Sequence, residues 1–406
     1  EDEMRPLTRR AYDYIADRVK VASGPILEAN EFDVCIDGLF GMRFRPPLRD
    51  DARDLLRAVN AHPSIAFRAA VDLPSGYGDA DAFRADVTYA TGIAKAPLFN
   101  PEYADKVGRI RYVDIGFFID QEVEPDTPAI LTTHVLKELR DLRPARADKR
   151  SFGHLHLLAG SRNMPGALLM AARAAATSGV GLLTVFAPES LTAHLAPALP
   201  EAMWVPLPET PGGGLALEGR RDILGRLDKA TALAMGPGMG NDPETRQLIA
   251  DLVAEADPPL VLDADALQPE VIEAVAHRSK RARRVVLTPH AGEFKRIADG
   301  RGPVAFARQT GTVLVLKGAP TRIFDGRREV YCPFGGPVLS RGGSGDLLTG
   351  VLGARLAQPD SDVFRAAAAG VAWIGRSADE CARARGATGV RTTDVLQYLP
   401  EGLLDE

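Results

Sequence analysis

The chain has 406 residues, more than one typical domain and enough for one large and one small core. Apolar residues make up 45% and charged residues 25%, an ordinary globular balance that excludes disordered, collagen-like and coiled-coil chains. The net charge of −5 argues against a general nucleic-acid binder, and no apolar run approaches the roughly 20 residues of a membrane helix.

Cys35, Cys332 and Cys381 are few and far apart, which suits neither a disulfide framework nor a zinc site and makes a reducing cytoplasm the expected compartment. Nothing near residue 1 reads as a signal peptide. Arg outnumbers Lys 40 to 9, so a lysine marks a place where a compact ammonium has a use.

From the N-terminus, apolar runs over 34–36 and 67–71 read as strands, each closed by an acid, Asp37 and Asp72. In open α/β sheets the ligand site lies at that carboxyl edge. The stretch 120–150 opens acidic, closes basic and holds two prolines early. It reads as a connector with one helix over 132–140. The expected partition is a first domain over 1–121, a connector over 122–144 and a second domain over 145–406.

In the second domain, short and nearly all-apolar runs at 154–160, 182–187, 231–235, 260–263, 285–287 and 313–316 alternate with helical patterns. The first of these helical patterns, alanine-rich, covers 165–179. Strands apolar at every position are buried on both faces, and intervening helices imply parallel pairing. A doubly wound α/β domain follows. One antiparallel interruption is expected where 321–324 and 327–331 flank Asp325-Gly326, a hairpin signal. The end returns to helix over 346–357 and 361–385.

The strongest chemical signal is Arg341-Gly342-Gly343-Ser344-Gly345-Asp346 before an apolar helix. The glycines let backbone approach a ligand, and the helix start offers free N–H groups and a positive dipole end, which suits a phosphate. Asp346 stands where it can take the proton of an attacking hydroxyl. A glycine-rich turn with an acid in the first helical turn is the plain alternative. Lys317-Gly318-Ala319-Pro320-Thr321 brings a cation and a hydroxyl to a strand end.

Gly236-Pro237-Gly238-Met239-Gly240, Asp263-Ala264-Asp265, Thr288-Pro289-His290 and the 160–167 loop also follow strands. Each is weak alone; together they predict one cleft at the carboxyl ends. His154 and His156 share one strand face without other metal ligands nearby in sequence and read as structural.

Together the motifs GSRNMPGA, GPGMG, DADAL, LTPHAGEF, KGAPT and GGSGDLLTG, in this order over roughly 145–400, resemble the NAD(P)HX dehydratase family of the ribokinase-like superfamily. The first domain, with DGLFG, DLPSG, RADVTYATGIAK and VDIG, resembles the second half of an NAD(P)HX epimerase domain. The implied fold is a ribokinase-like, doubly wound parallel-sheet α/β domain preceded by a smaller, N-terminally incomplete Rossmann-like α/β domain.

The resemblance implies ADP-dependent, or ATP-dependent, dehydration of (S)-NAD(P)H-hydrate with Mg2+. Asp346 would be catalytic. Lys317, Gly318, Ala319, Pro320 and Thr321, with Gly342, Gly343, Ser344 and Gly345, would bind the nucleotide. Ala167, Gly238, His290 and Asp346 would bind the hydrated dinucleotide. In the epimerase-like part, Gly41, Met42, Arg43, Phe44, Arg45, Pro46, Pro47 and Asp72 would bind it, and Asp37 and Ser75 would hold potassium.

The Asn- and Gly-rich loop of the epimerase family has no counterpart before residue 34, so this part is expected to be truncated and without epimerase turnover. Partners are expected to be small molecules, with neither nucleic acid nor membrane, and self-assembly into a homo-oligomer. The rivals are a vitamin or sugar kinase of the ribokinase type and a non-catalytic nucleotide-binding protein.

Overall fold

The computed structural model describes residues 6–19, 31–116, 127–278 and 283–404, and the chain divides into two compact units, Glu1–Ile115 and Gly116–Glu406. The first residues of the expected connector, 122–126, lie outside the described residues.

In the first unit, β1 (Phe32–Asp37), β2 (Ile65–Val71), β3 (Val87–Thr91) and β4 (Arg109–Val113) form a sheet in that order, every pair parallel. The helix Asp50–Ala61 turns Ala52, Leu56 and Val59 inward onto a small core with Leu48, Ile65, Ala70 and Phe83. On β2 alternation sets Val71 against Ala70, and the face that carries Val71 also carries Val34, Ile36, Tyr89 and Val113, all exposed.

The second unit contains β5 (Ala129–Ile130), β6 (His154–Leu158), β7 (Leu182–Pro188), β8 (Met203–Leu207), β9 (Ala232–Met235), β10 (Leu260–Leu262), β11 (Val285–Leu287), β12 (Val313–Leu316), β13 (Thr321–Phe324) and β14 (Glu329–Cys332). Among the described residues they form one sheet in the order β5-β14-β13-β12-β11-β10-β9-β6-β7-β8. The run from β8 to β12 is parallel. The β12–β13–β14 meander is antiparallel, as the Asp325-Gly326 turn leads one to expect.

Successive residues go to opposite cores. Ala234, Val261, Val286 and Val315 join the cluster built on the helices Pro165–Thr177, Ser344–Leu356 and Val363–Arg385. Leu233, Leu262, Leu287 and Leu314 join the cluster on the other face. All eight side chains are fully buried, each contributing about 1.5–3 kcal/mol for the larger ones, which is why these strands read as unbroken apolar runs.

Three features depart from the sequence reading. The stretch after residue 126 is built into the second unit: Ala129–Ile130 pairs with β14, and Leu136 is fully buried. Its expected helix is a 3₁₀ turn, Thr133–Leu136, running into a short helix, Lys137–Arg140. The edge strand β8 escaped notice because Pro206 interrupts it, and proline is tolerated at a sheet edge, where no partner takes its missing donor.

Candidate active site

The strand order reverses at β6: β7 and β8 lie to one side and β9 to β12 to the other. In doubly wound sheets the crevice at such a switch point, outside the carboxyl ends, is where ligands bind. Backbone bonds carry the ladder past the strands and set the following loops in one row. Gly160 donates to Pro237 (2.7 Å), Asp263 to Met235 (3.1 Å), Thr288 to Leu262 (3.1 Å) and Lys317 to Pro289 (2.8 Å). The loops picked out by sequence therefore do converge on one edge.

Gly238 and Ala167 meet across the switch point. A Cβ on Gly238 would sit 2.8 Å from the Ala167 Cβ, at a φ of +63° that disfavours any side chain. On the far side, Gly343 precedes the helix Ser344–Leu356 in a left-handed conformation, and a Cβ there would strike the Met170 sulfur. Asp346 lies in the first turn. Burial, then the like charges of Asp263 and Asp265, push its carboxyl up to about 6, while Lys317 pulls the other way.

Lys317 lies at the centre. Its ammonium is 2.7 Å from Asp263 Oδ1 and 3.7 Å from Glu293 Oε2. Burial alone would lower this group, but Asp263, Glu293 and Asp346 together hold it above its usual value, so it stays charged. The rest of the turn is more open: Gly318 and Ala319 are exposed, and Thr321 donates its hydroxyl to the Gly318 carbonyl at 3.1 Å.

His290 caps the helix Ala291–Ile297. Its Nδ1 accepts from the N–H groups of Gly292 (3.0 Å) and Glu293 (3.2 Å), and Glu293 accepts from His290 N in return. An accepting Nδ1 puts the ring proton on Nε2, on a side chain that is 60% exposed. The sequence motifs contain Asp263 and Glu293 but assign neither a role, and Thr349 belongs to none of the strand-end motifs. The last is a fully buried hydroxyl within the apolar helix Ser344–Leu356, and that oddity was the available signal.

His154 and His156 are structural, as the sequence suggested. His154 Nε2 lies 2.8 Å from Thr184 Oγ1. Burial, then His154 and Arg226, push His156 down to about 3, so it is neutral.

The first unit assembles its own residues. Asp37 accepts from Ser75 N at 2.6 Å and Leu39 N at 3.2 Å. The Ser75 hydroxyl accepts from Phe40 N at 2.8 Å and faces the Phe40 carbonyl at 3.4 Å. Asp72 takes a φ of +67°, and its Oδ1 accepts from Lys95 Nζ at 2.6 Å and from Thr91. Burial opposes its charge, yet Lys95 and Thr91 hold the carboxyl below its usual range.

In the 41–47 loop, Arg45 donates to the carbonyls of Met42 and Phe44, and the Phe44 ring stacks on Phe40 at 5.2 Å. Gly41, Met42, Arg43, Arg45, Pro46 and Pro47 are exposed or only partly covered.

Family profiles agree with this division. The profile of NAD(P)H-hydrate dehydratase matches residues 155–401, and that of the YjeF-related protein N-terminus matches residues 6–96. The chain is 36% identical to a bifunctional NAD(P)H-hydrate repair enzyme Nnr of Gloeobacter violaceus, over 94% of this chain and 77% of that one. It is 34% identical to the enzyme of that name from Moorella thermoacetica, over 91% and 72%.

Among solved structures, the ADP/ATP-dependent NAD(P)H-hydrate dehydratase of Bacillus subtilis, co-crystallised with ATP and Mg2+, aligns with a TM-score of 0.56 and 30% identity, covering 68% of this chain and 97% of that one. A ribokinase-like superfamily protein of Enterococcus faecalis aligns with a TM-score of 0.60 and 26% identity, over 70% and 97%. No helix among the described residues is long and apolar enough to cross a membrane. With a smaller parallel-sheet α/β unit followed in sequence by a ribokinase-like α/β unit, the chain belongs to the family of bifunctional NAD(P)H-hydrate repair enzymes.

Proposed function

We propose that the second unit dehydrates (S)-NADH-hydrate and (S)-NADPH-hydrate to the normal cofactors, with ADP as the phosphoryl donor. The observation that carries this reading is Asp346 in the first turn behind a three-glycine stretch, its carboxyl raised to about 6. A base of that kind is ionised at neutral pH and binds a proton more tightly than an ordinary aspartate.

Asp346 takes the proton of the hydroxyl on the hydrated ring as that oxygen attacks the terminal phosphorus of ADP, and AMP leaves. The amides of Gly342, Gly343, Ser344 and Gly345, with the Lys317 ammonium, stabilise the charge that develops on the phosphoryl oxygens. Phosphate, a far better leaving group than hydroxide, then departs as the neighbouring ring carbon gives up a proton, and the C–H electron pair restores the ring double bond. Gly318, Ala319, Pro320 and Thr321 hold the rest of the nucleotide, while Ala167, Gly238 and His290 line the hydrated dinucleotide. Among the described residues no three His, Cys, Asp or Glu side chains gather into a metal site. Magnesium would come with the nucleotide's phosphates, where it needs only one or two protein carboxylates.

In the first unit, the same substrate would lie against Asp72 and the residues 41–47, with Asp37, Ser75 and the Phe40 carbonyl supplying oxygen donors for potassium. The second unit's reading is tested by mixing the chain with (S)-NADH-hydrate and ADP and following recovery of the NADH absorbance band. A vitamin or sugar kinase would leave the band flat, and a flat trace sinks the proposal.

A further inference from the structure

Asp263 closes β10 and is 1% exposed, a costly place for a carboxylate unless both oxygens are used. Both are. Oδ1 accepts from Lys317 Nζ at 2.7 Å, and Oδ2 accepts from Thr349 Oγ1 at 2.8 Å. Thr349 belongs to the same helix as Asp346, one turn further on, and Lys317 follows β12. One carboxylate thus ties together the ends of two strands and the helix that starts with the glycine-rich turn.

The packing around it is close. A Cβ on Gly345 would fall 3.3 Å from both Asp263 Oδ2 and Lys317 Nζ, so the pair lies directly beneath the turn. We infer that Asp263 is a positioning residue for phosphoryl transfer: it anchors the Lys317 ammonium against the Gly342–Gly345 turn and fixes the start of the Asp346 helix over it. This rests on the reading of Asp346 as the proton acceptor.

The charge of Asp263 has a second consequence. The groups facing Asp346 are Asp263 and Asp265 from the end of β10 and Lys317 from the end of β12. Glu293, whose helix is capped by His290, lies behind Lys317. Removing the Asp263 charge deletes a repulsion on Asp346 and frees Lys317 to attract it more strongly. Both changes favour the ionised Asp346, so the acid side of the activity profile must move to lower pH. Loss of packing alone would not move it.

The test is Asp263→Asn in the full chain, beside Thr349→Val, which removes one hydrogen bond and leaves every charge in place. For Asp263→Asn we expect kcat to fall about 100-fold, as for a misplaced reacting group. ADP affinity by calorimetry should weaken at least about tenfold, the scale of losing a charge-assisted contact. The fraction of pH 7 activity retained at pH 5 should rise. Thr349→Val should slow turnover with no movement of the profile.

A wild-type acid limb in a folded Asp263→Asn chain overturns the inference, as does a limb that shifts equally in Thr349→Val. If the wild type shows no dehydratase turnover, the functional reading fails instead. The anchoring of Lys317 is then decided by ADP calorimetry alone, where an unchanged affinity in Asp263→Asn overturns it.

Discussion

Asp72 in the first unit and Asp346 in the second both serve the carboxyl edge of a parallel sheet, and burial opposes the charge of each. Asp72 is gripped by Lys95 and Thr91 and is held below the usual range. Asp346 has two aspartates for neighbours, with Lys317 offsetting them, and rises to about 6. A carboxylate that cannot take a proton at working pH can orient a hydroxyl or hold a cation. One poised near neutrality can take the proton itself. An aspartate after a strand and an aspartate at a helix start are thus moved in opposite directions, one suited to hold a partner and one suited to take a proton, and the neighbouring groups decide which.

The largest effect that would break this comparison is on turnover. Asp346→Asn is expected to keep ADP binding while losing about 10²–10⁴-fold in dehydration rate, the usual cost of a missing base. A near wild-type rate would remove Asp346 from the chemistry. Next comes Lys317→Ala. It should raise the apparent constant for ADP about 10–100-fold, on the scale of a charge-assisted contact, and affect the hydrated dinucleotide far less. An unchanged ADP titration would take the nucleotide away from this lysine.

The pH profile gives a smaller effect. A base that must be ionised and titrates at about 6 loses roughly tenfold in rate between pH 7 and pH 5. Asp72, held low, should produce no such limb in ligand binding to the first unit. A flat dehydration profile across that interval would contradict the environment described for Asp346.

The smallest effect has opposite signs in the two units. A carboxyl whose pKa is raised by folding costs stability once ionised, and that cost grows as pH rises from the ordinary Asp range to about 6. Asp346→Asn should therefore melt later than wild type at pH 7, with the gain fading toward pH 4. Asp72 is lowered by folding, so its contribution is present above the ordinary Asp range and lost as pH falls below it. Asp72→Asn should melt earlier at pH 7, with the difference closing in acid. Shifts on the order of 2–4 °C in calorimetry would be enough, and equal signs would break the comparison.

The sequence alone was enough for the second unit's central strands, its hairpin and its main helices, though not for its two edge strands β5 and β8. Its strands are buried on both faces, so they appear as apolar runs, and the loops after them carry glycine, proline and acids because the backbone must turn there beside a ligand. Gly343 and Asp346 could be picked out because a helix start after glycines has a chemistry of its own.

What only the tertiary structure decided depends on residues far apart in the chain. Asp263 and Thr349, 86 positions apart, become partners only when β10 and the Asp346 helix pack together. Neither carries a local signal stronger than an acid after a strand or a lone threonine in an apolar helix. The strand Ala129–Ile130 was hidden in a stretch too short and too charged at its borders to look like part of a core. Its place was set by the free edge of β14. The opposite directions in which folding moves the Asp72 and Asp346 carboxyls were likewise beyond the sequence, because a pKa follows from burial and from the charges that folding brings near.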